Sequence, residues 1–201
     1  MSLDFRKLHF VERELSPGFQ TALALGPDGK IYVAQDWNRY AVAVYRRTGA
    51  LERVVARPFT NRKRTEQELR RINALFDASA RNNPYGETRE IEPCPPAITS
   101  LYVDAQDRLW VQHSRSGEDL PPGVMQAYDL FDPHGRYLRR VLVACEGNPE
   151  YDGLQFLPDG RVLLIKGLVL AGMAQSDLGS IPLGEAEDSG NMEFICYRSV
   201  E

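Results

Sequence analysis

An imidazole, a carboxylate and an amine stand in three well-separated parts of the chain: His113, Asp152 and Lys166. His113 with Asp152 or Glu146 has the residue types for general acid–base work, and Lys166 has those for holding a carboxylate or phosphate. Two short segments, "DWNRY" (36–40) and "HSRSGEDLPPG" (113–123), add Trp37, Asn38, Arg39 and Arg115. An indole beside guanidinium groups suits planar or anionic partners. The candidate ligand-binding set is therefore Trp37, Asn38, Arg39, His113, Arg115, Asp152 and Lys166, with no catalytic residue and no metal ligand assigned. A plainer reading stands beside each: a wet surface presents polar residues anyway, and edge packing explains Trp37 as well as stacking does. The basic cluster Arg62, Lys63, Arg64 in "TNRKRT" (60–65) is either an anion-binding lid or a solvated loop. No GxSxG elbow, P-loop or HExxH motif occurs to fix a reaction class.

Composition narrows the partners. The chain has 201 residues, 43% of them apolar and 26% charged, which is enough for a core and too apolar for disorder. A net charge of −4 argues against a nucleic-acid partner read through phosphates. The three cysteines, Cys94, Cys145 and Cys196, form no CxxC pair and no metal-ligand spacing, and are expected as free thiols. No apolar run reaches membrane-spanning length and no signal-peptide pattern opens the chain, so a soluble, cytoplasmic protein without a membrane partner is expected. A leader or a whole N-terminal half removed upstream would leave the native compartment open.

The elements that must position these residues repeat. "ALALGPDGKIYV" (22–33), "SLYVDAQDRLWV" (100–111) and "GLQFLPDGRVLLIKG" (153–167) align on Gly29, Asp107 and Gly160. Each unit predicts a first strand (21–26, 98–104, 152–157), a tight turn, and a second strand (30–36, 108–114, 161–166). Third strands follow in "VAVY", "QAYDLF" and "EFICYR", and fourth strands at 51–59 and 137–144. Four antiparallel strands recurring every 40 to 45 residues, insertions removed, is the pattern of propeller blades rather than of a plain meander or sandwich.

The motif PDG-(K/R)-(I/V)-Y-V followed by V-Y-x-x-x-G-x-L resembles the six-bladed β-propellers of the NHL and TolB-like type, over residues 8 to 200 apart from two insertions. The resemblance implies an all-β fold of four-stranded blades and says little about function, because such rings host binding modules, lyases, lactonases and signalling domains alike. Residues 4–201 are expected as one half-propeller domain: an N-terminal exchanged strand 7–14, a blade 21–59, a helical insertion 60–96, a blade 97–144 and an incomplete blade 151–200. Three blades cannot close a ring. A homodimer, with the 7–14 strand of each protomer completing the last blade of the other, would; a fragment of a longer parent is the rival.

The first-to-second and third-to-fourth turns are all short, so the extra sequence gathers on the other end, in 60–96, 114–124, 145–151 and 167–192. In the insertion, Thr65 and Glu68 predict a capping box, and Leu69, Ile72, Leu75 and Phe76 an apolar helix stripe. Gln35, His113 and Lys166, and Thr21, Thr99 and Asp152, fall at equivalent places near the channel mouth. The expected function is a binding or scaffold propeller holding a small anionic ligand or a peptide on this elaborated face, without a cofactor. The alternative is a metal-dependent hydrolase resembling the lactonases of the gluconolactonase family, with a divalent ion in the channel. Asp152 is the lone acid at the first-strand starts, with Thr21 and Thr99 at the other two, which argues against a close copy and leaves Glu146 and Asn148 as further candidate ligands.

Overall fold

A computed structural model describes residues 7–13, 22–80, 86–157, 159–175 and 192–198. Thr21 and most of the connection after Gln175 lie outside these residues. The described chain is mostly β. A first sheet is formed by β2 (Ala22–Leu25), β3 (Ile31–Ala34), β4 (Ala41–Tyr45) and β5 (Leu51–Ala56), each antiparallel to the next. A second repeats the plan with β7 (Ile98–Val103), β8 (Leu109–His113), β9 (Val124–Phe131) and β10 (Tyr137–Ala144). A third holds β11 (Gly153–Phe156), β12 (Val162–Lys166) and β13 (Glu193–Tyr197).

Five hairpin turns carry the same backbone solution. In each five-residue turn the first N–H donates to the fifth carbonyl and the fourth N–H donates back to the first carbonyl, as at Gly26–Lys30, Arg46–Ala50, Asp104–Arg108, Asp132–Arg136 and Leu157–Arg161. The fourth residue then needs a left-handed backbone, which glycine adopts without a Cβ penalty. Gly29, Gly49, Gly135 and Gly160 lie at φ 80 to 84°, and Asp107 takes the same place at φ 57°. The three residues that align the sequence repeat therefore share one conformational requirement. Asp104 and Asp132 steady their turns by accepting two backbone N–H groups each on Oδ1.

Alternation places the core. Tyr32, Val42, Val44 and Val55 of the first sheet pack on Leu101, Val103, Leu109, Val111 and Phe131 of the second. The opposite face of the second sheet meets the third through rings: Tyr102 stacks on Phe156 with centroids 4.6 Å apart, and Trp110 and Tyr128 close around the same ring. The second sheet is thus covered on both sides, which is why seven of the eight β9 positions are buried.

Two elements depart from expectation. The N-terminal strand β1 (Lys7–Val11) is present and within this chain pairs in parallel with β6 (Gly86–Glu90), inside the insertion, rather than lying beside a sheet of the repeat. "GETRE" has no apolar alternation and carries no strand signal of its own, so β6 depends on its partner. The expected helix is α1 (Glu66–Ala80), with the reciprocal cap in place: Glu68 N–H donates to Thr65 Oγ1 at 3.2 Å and Thr65 N–H to Glu68 Oε2 at 2.8 Å. Phe76 of α1 meets Phe10 of β1. A second helix, α2 (Leu168–Gln175), follows β12 directly. Among the described residues no helix is long and apolar enough to cross a membrane.

Candidate functional site

The candidate residues separate into three places. The first is the β3–β4 connection, where the chain leaves the first sheet. Asp36 Oδ1 accepts the Asn38 N–H at 3.0 Å, a local turn that turns Asn38 and Arg39 outward. Asn61 of the insertion donates to both the carbonyl and the side-chain oxygen of Asn38. Trp37 points the other way: it is 6% exposed, and its indole N–H donates to the Cys94 carbonyl at 2.9 Å. It ties the returning insertion to the sheet and offers little surface for a ligand to stack on.

Beside this loop lies a cleft of about 500 Å³. Val33, Ala43 and Val54 give it an apolar side, and Gln35, Asp36, Asn38, Arg39 and Arg13 line the remainder. The Arg39 side chain is 74% exposed, and its ion pair with Asp36 is long, at 3.9 Å. Arg13, Arg62 and Arg64 are more firmly committed, Arg13 to Glu92 at 2.9 Å. Arg62 makes a bidentate pair with Glu68 and donates to the Ser114 carbonyl. Arg64 is buried with Glu12, both oxygens engaged at 2.7 Å, and also donates to the Glu92 carbonyl. Two of the three charges read as an anion-binding lid thus hold the insertion in place.

The second place is a buried polar cluster between the first and second sheets. Asp129, on β9, accepts hydrogen bonds from Tyr40 Oη and Arg57 Nη1, both at 2.8 Å. His113 comes within 3.6 Å of the same carboxylate through Nε2, while its Nδ1 accepts the Arg115 backbone N–H at 3.2 Å. That hydrogen bond leaves Nε2 to carry the proton of the neutral ring, facing Asp129. Burial lowers the imidazole pKa below 6.5, against the opposing pull of Asp129. Burial, then the Asp129 charge, push the Tyr40 phenol far up. The arrangement orients an imidazole and packs it against Phe59 and Tyr40, with the Ser116 Oγ accepting the His113 backbone N–H at 2.9 Å. Arg115 turns away to pair with Glu118 at 2.7 Å.

The third place is the end of the third sheet. Both oxygens of Asp152 are taken by backbone: Oδ2 accepts the Asn148 N–H at 2.7 Å and Oδ1 the Gly167 N–H at 2.8 Å. Asn148 Oδ1 accepts the Glu150 N–H. Asp152 clamps two loops together. Among the described residues no three His, Cys, Asp or Glu side chains converge as a metal site. Lys166 lies 3.6 Å from Glu193, its register partner across β12 and β13. His113 and Asp152 are therefore parts of different clusters, and the acid–base pair expected between them is not assembled.

Tyr40, Arg57 and Asp129 were not among the candidates. The legible signal was Asp129 itself, an acid two positions from both Ala127 and Phe131 on a strand whose alternation points inward.

No protein-family model matches the chain, and no curated protein matches it. Among solved structures it resembles a protein of unknown function from Bacteroides caccae, at 14% identity and a TM-score of 0.25. The match covers 72% of this chain and 52% of that one, so the chain spans about half the length of that neighbour.

Proposed function

We propose that the three sheets are consecutive blades of a six-bladed propeller of the NHL and TolB-like type, and that the molecule is a binding module for a small anionic ligand, free or borne on a peptide. The blade reading is supported by the common turn geometry and by the first strand of one sheet lying beside the first strand of the next, β2 against β7. It puts the 35–39 loop and the insertion on the same end of the stack. The observation that carries the binding reading is Arg39: an exposed guanidinium, weakly paired, lining a cleft with an apolar side. Such a site fits a carboxylate or phosphate attached to a compact apolar body. Unpaired thiols at Cys94, Cys145 and Cys196 agree with a reducing, cytoplasmic setting.

The test is calorimetric titration with a panel of organic anions: benzoate, citrate, a sugar phosphate and a short acetylated acidic peptide. At least one binds saturably, and Arg39→Ala weakens it about tenfold or more, the loss expected for a charge-assisted hydrogen bond. Binding unchanged by Arg39→Ala, or none across the panel, contradicts the assignment.

A further inference from the structure

Three sheets in a row have six faces, and among the described residues four of them meet a neighbouring sheet. The repeat identifies what the remaining two are for. In the second sheet, Leu101 and Val103 face back onto the first and are 8% and 6% exposed. In the third sheet, Phe156, on the same face as Leu154, faces back onto Tyr102 and Trp110 of the second. The residues at these repeat positions in the first sheet are Leu23 and Leu25, and they are 56% and 66% exposed. The second strands repeat the contrast: Val111 and Leu164 are fully buried, whereas their equivalent, Val33, lines the open cleft. Across that face the register lines up Leu23 with Val33, Val33 with Ala43, and Ala43 with Val54, an unbroken apolar surface. Large apolar side chains kept on an open face mark a contact surface.

The forward-facing position behaves reciprocally. Tyr32 of the first sheet is covered at 2% exposure and packs into the core, and Trp110 packs on the third sheet. Their equivalent in the third sheet, Leu163, is only half-buried opposite Cys196; on the same face Ile165 is buried, but its register partner Phe194 is 60% exposed. Charge agrees with the shape. Arg39 precedes the third strand of the first sheet, and Glu193, 62% exposed, begins the third strand of the third sheet, at the same end of the stack.

We infer that the open back face of the first sheet seats the open front face of the third sheet of a second copy. The inference rests on reading the three sheets as consecutive blades. The contact repeats the one already made twice within the chain. A two-fold axis makes the second junction identical to the first, so association stops at two copies and no open end remains. Exchange of β1 is not needed.

Light scattering on a size-exclusion column tests this with the wild-type chain, Leu25→Arg and Phe194→Arg, each checked for fold by circular dichroism. The wild type should show twice 22.7 kDa, and each variant the single mass with an unchanged spectrum. An equimolar mixture of the two variants should regain a dimer, because one junction of the pair is then intact. A wild-type monomer, or polymers that grow with concentration, overturns the inference. So does Phe194→Arg remaining dimeric while Leu25→Arg does not, since that pattern means first sheets pair with each other. Titration of an anion against the monomeric variants separates the two claims: binding at Arg39 can survive in a monomer, and a dimer can form whether or not any anion binds.

Discussion

Asp129 does more for the first two sheets than any residue picked for its chemistry. It is 3% exposed and receives Tyr40, Arg57 and, at longer range, His113. A buried carboxylate is tolerated only when its lone pairs are met, and removing it strands three polar partners at once. Asp129→Ala should lower stability by about 3 kcal/mol in denaturant titration, whereas Tyr40→Phe, which leaves Arg57 in place, should cost about 1 kcal/mol. His113 adds a pH dependence whose sign follows from its neighbours. Because burial lowers its pKa in the fold below 6.5, the unfolded chain binds the proton more readily. The stability held by neutral His113 is complete above that value and is lost as the pH falls through it, despite Asp129 nearby. Arg57 and Arg140 reinforce the trend and Glu118 opposes it. The unfolding midpoint of the wild type should therefore drop between pH 7 and 5, and His113→Gln should flatten that slope. Residue types alone showed His113 as notable and weighed Asp152 or Glu146 beside it, whereas the acid its ring faces in the fold is Asp129. Asp152 and Asp129 are both single acids near strands, and only the packing of β8 on β9 decides which one the imidazole meets.

At the scale of elements the sequence was most readable where backbone chemistry is local. The Thr65–Glu68 cap formed as the residues imply, and Arg62 then adds its bidentate pair to Glu68. That guanidinium, with the Thr65 N–H, lowers the Glu68 pKa to about 2 from 4.5. A carboxylate lowered in the fold contributes stability that is present above 4.5 and lost as the pH falls toward 2. The effect is moderated by solvent, since the side chain is 35% exposed. Thr65→Ala should destabilise by about 1 kcal/mol through the cap alone. The turns give a graded series. Gly160→Ala meets no atom within 4 Å and should cost about 1 kcal/mol for its left-handed backbone. Gly135→Ala should cost more, because its Cβ would sit 2.7 Å from Val55 of the neighbouring sheet. Asp107→Gly should be neutral or stabilising by up to roughly 1 kcal/mol, as it relieves the same backbone. What stayed illegible was β6: "GETRE" becomes a strand only through pairing with β1 some 79 residues away, and no local pattern encodes such a partner.

Across the whole molecule, the alternation that defines each strand also states which faces must be covered. The sequence puts leucines at 23 and 25 and alanines at 22 and 24, and the chain buries the alanines while leaving the leucines open. That inversion makes sense if a further sheet lies against the first, and the repeat says what kind of sheet it is. Strand count pointed to the same closure by way of an exchanged N-terminal strand, which within this chain pairs with β6. Small-angle X-ray scattering on the wild-type chain tests the closed arrangement most directly, since one curve reports mass and compactness together. Closure predicts twice 22.7 kDa with a radius of gyration of roughly 21 Å, the value for a compact body of that size. A mass of 22.7 kDa with a radius of roughly 17 Å, unchanged over a tenfold range of concentration, would contradict it.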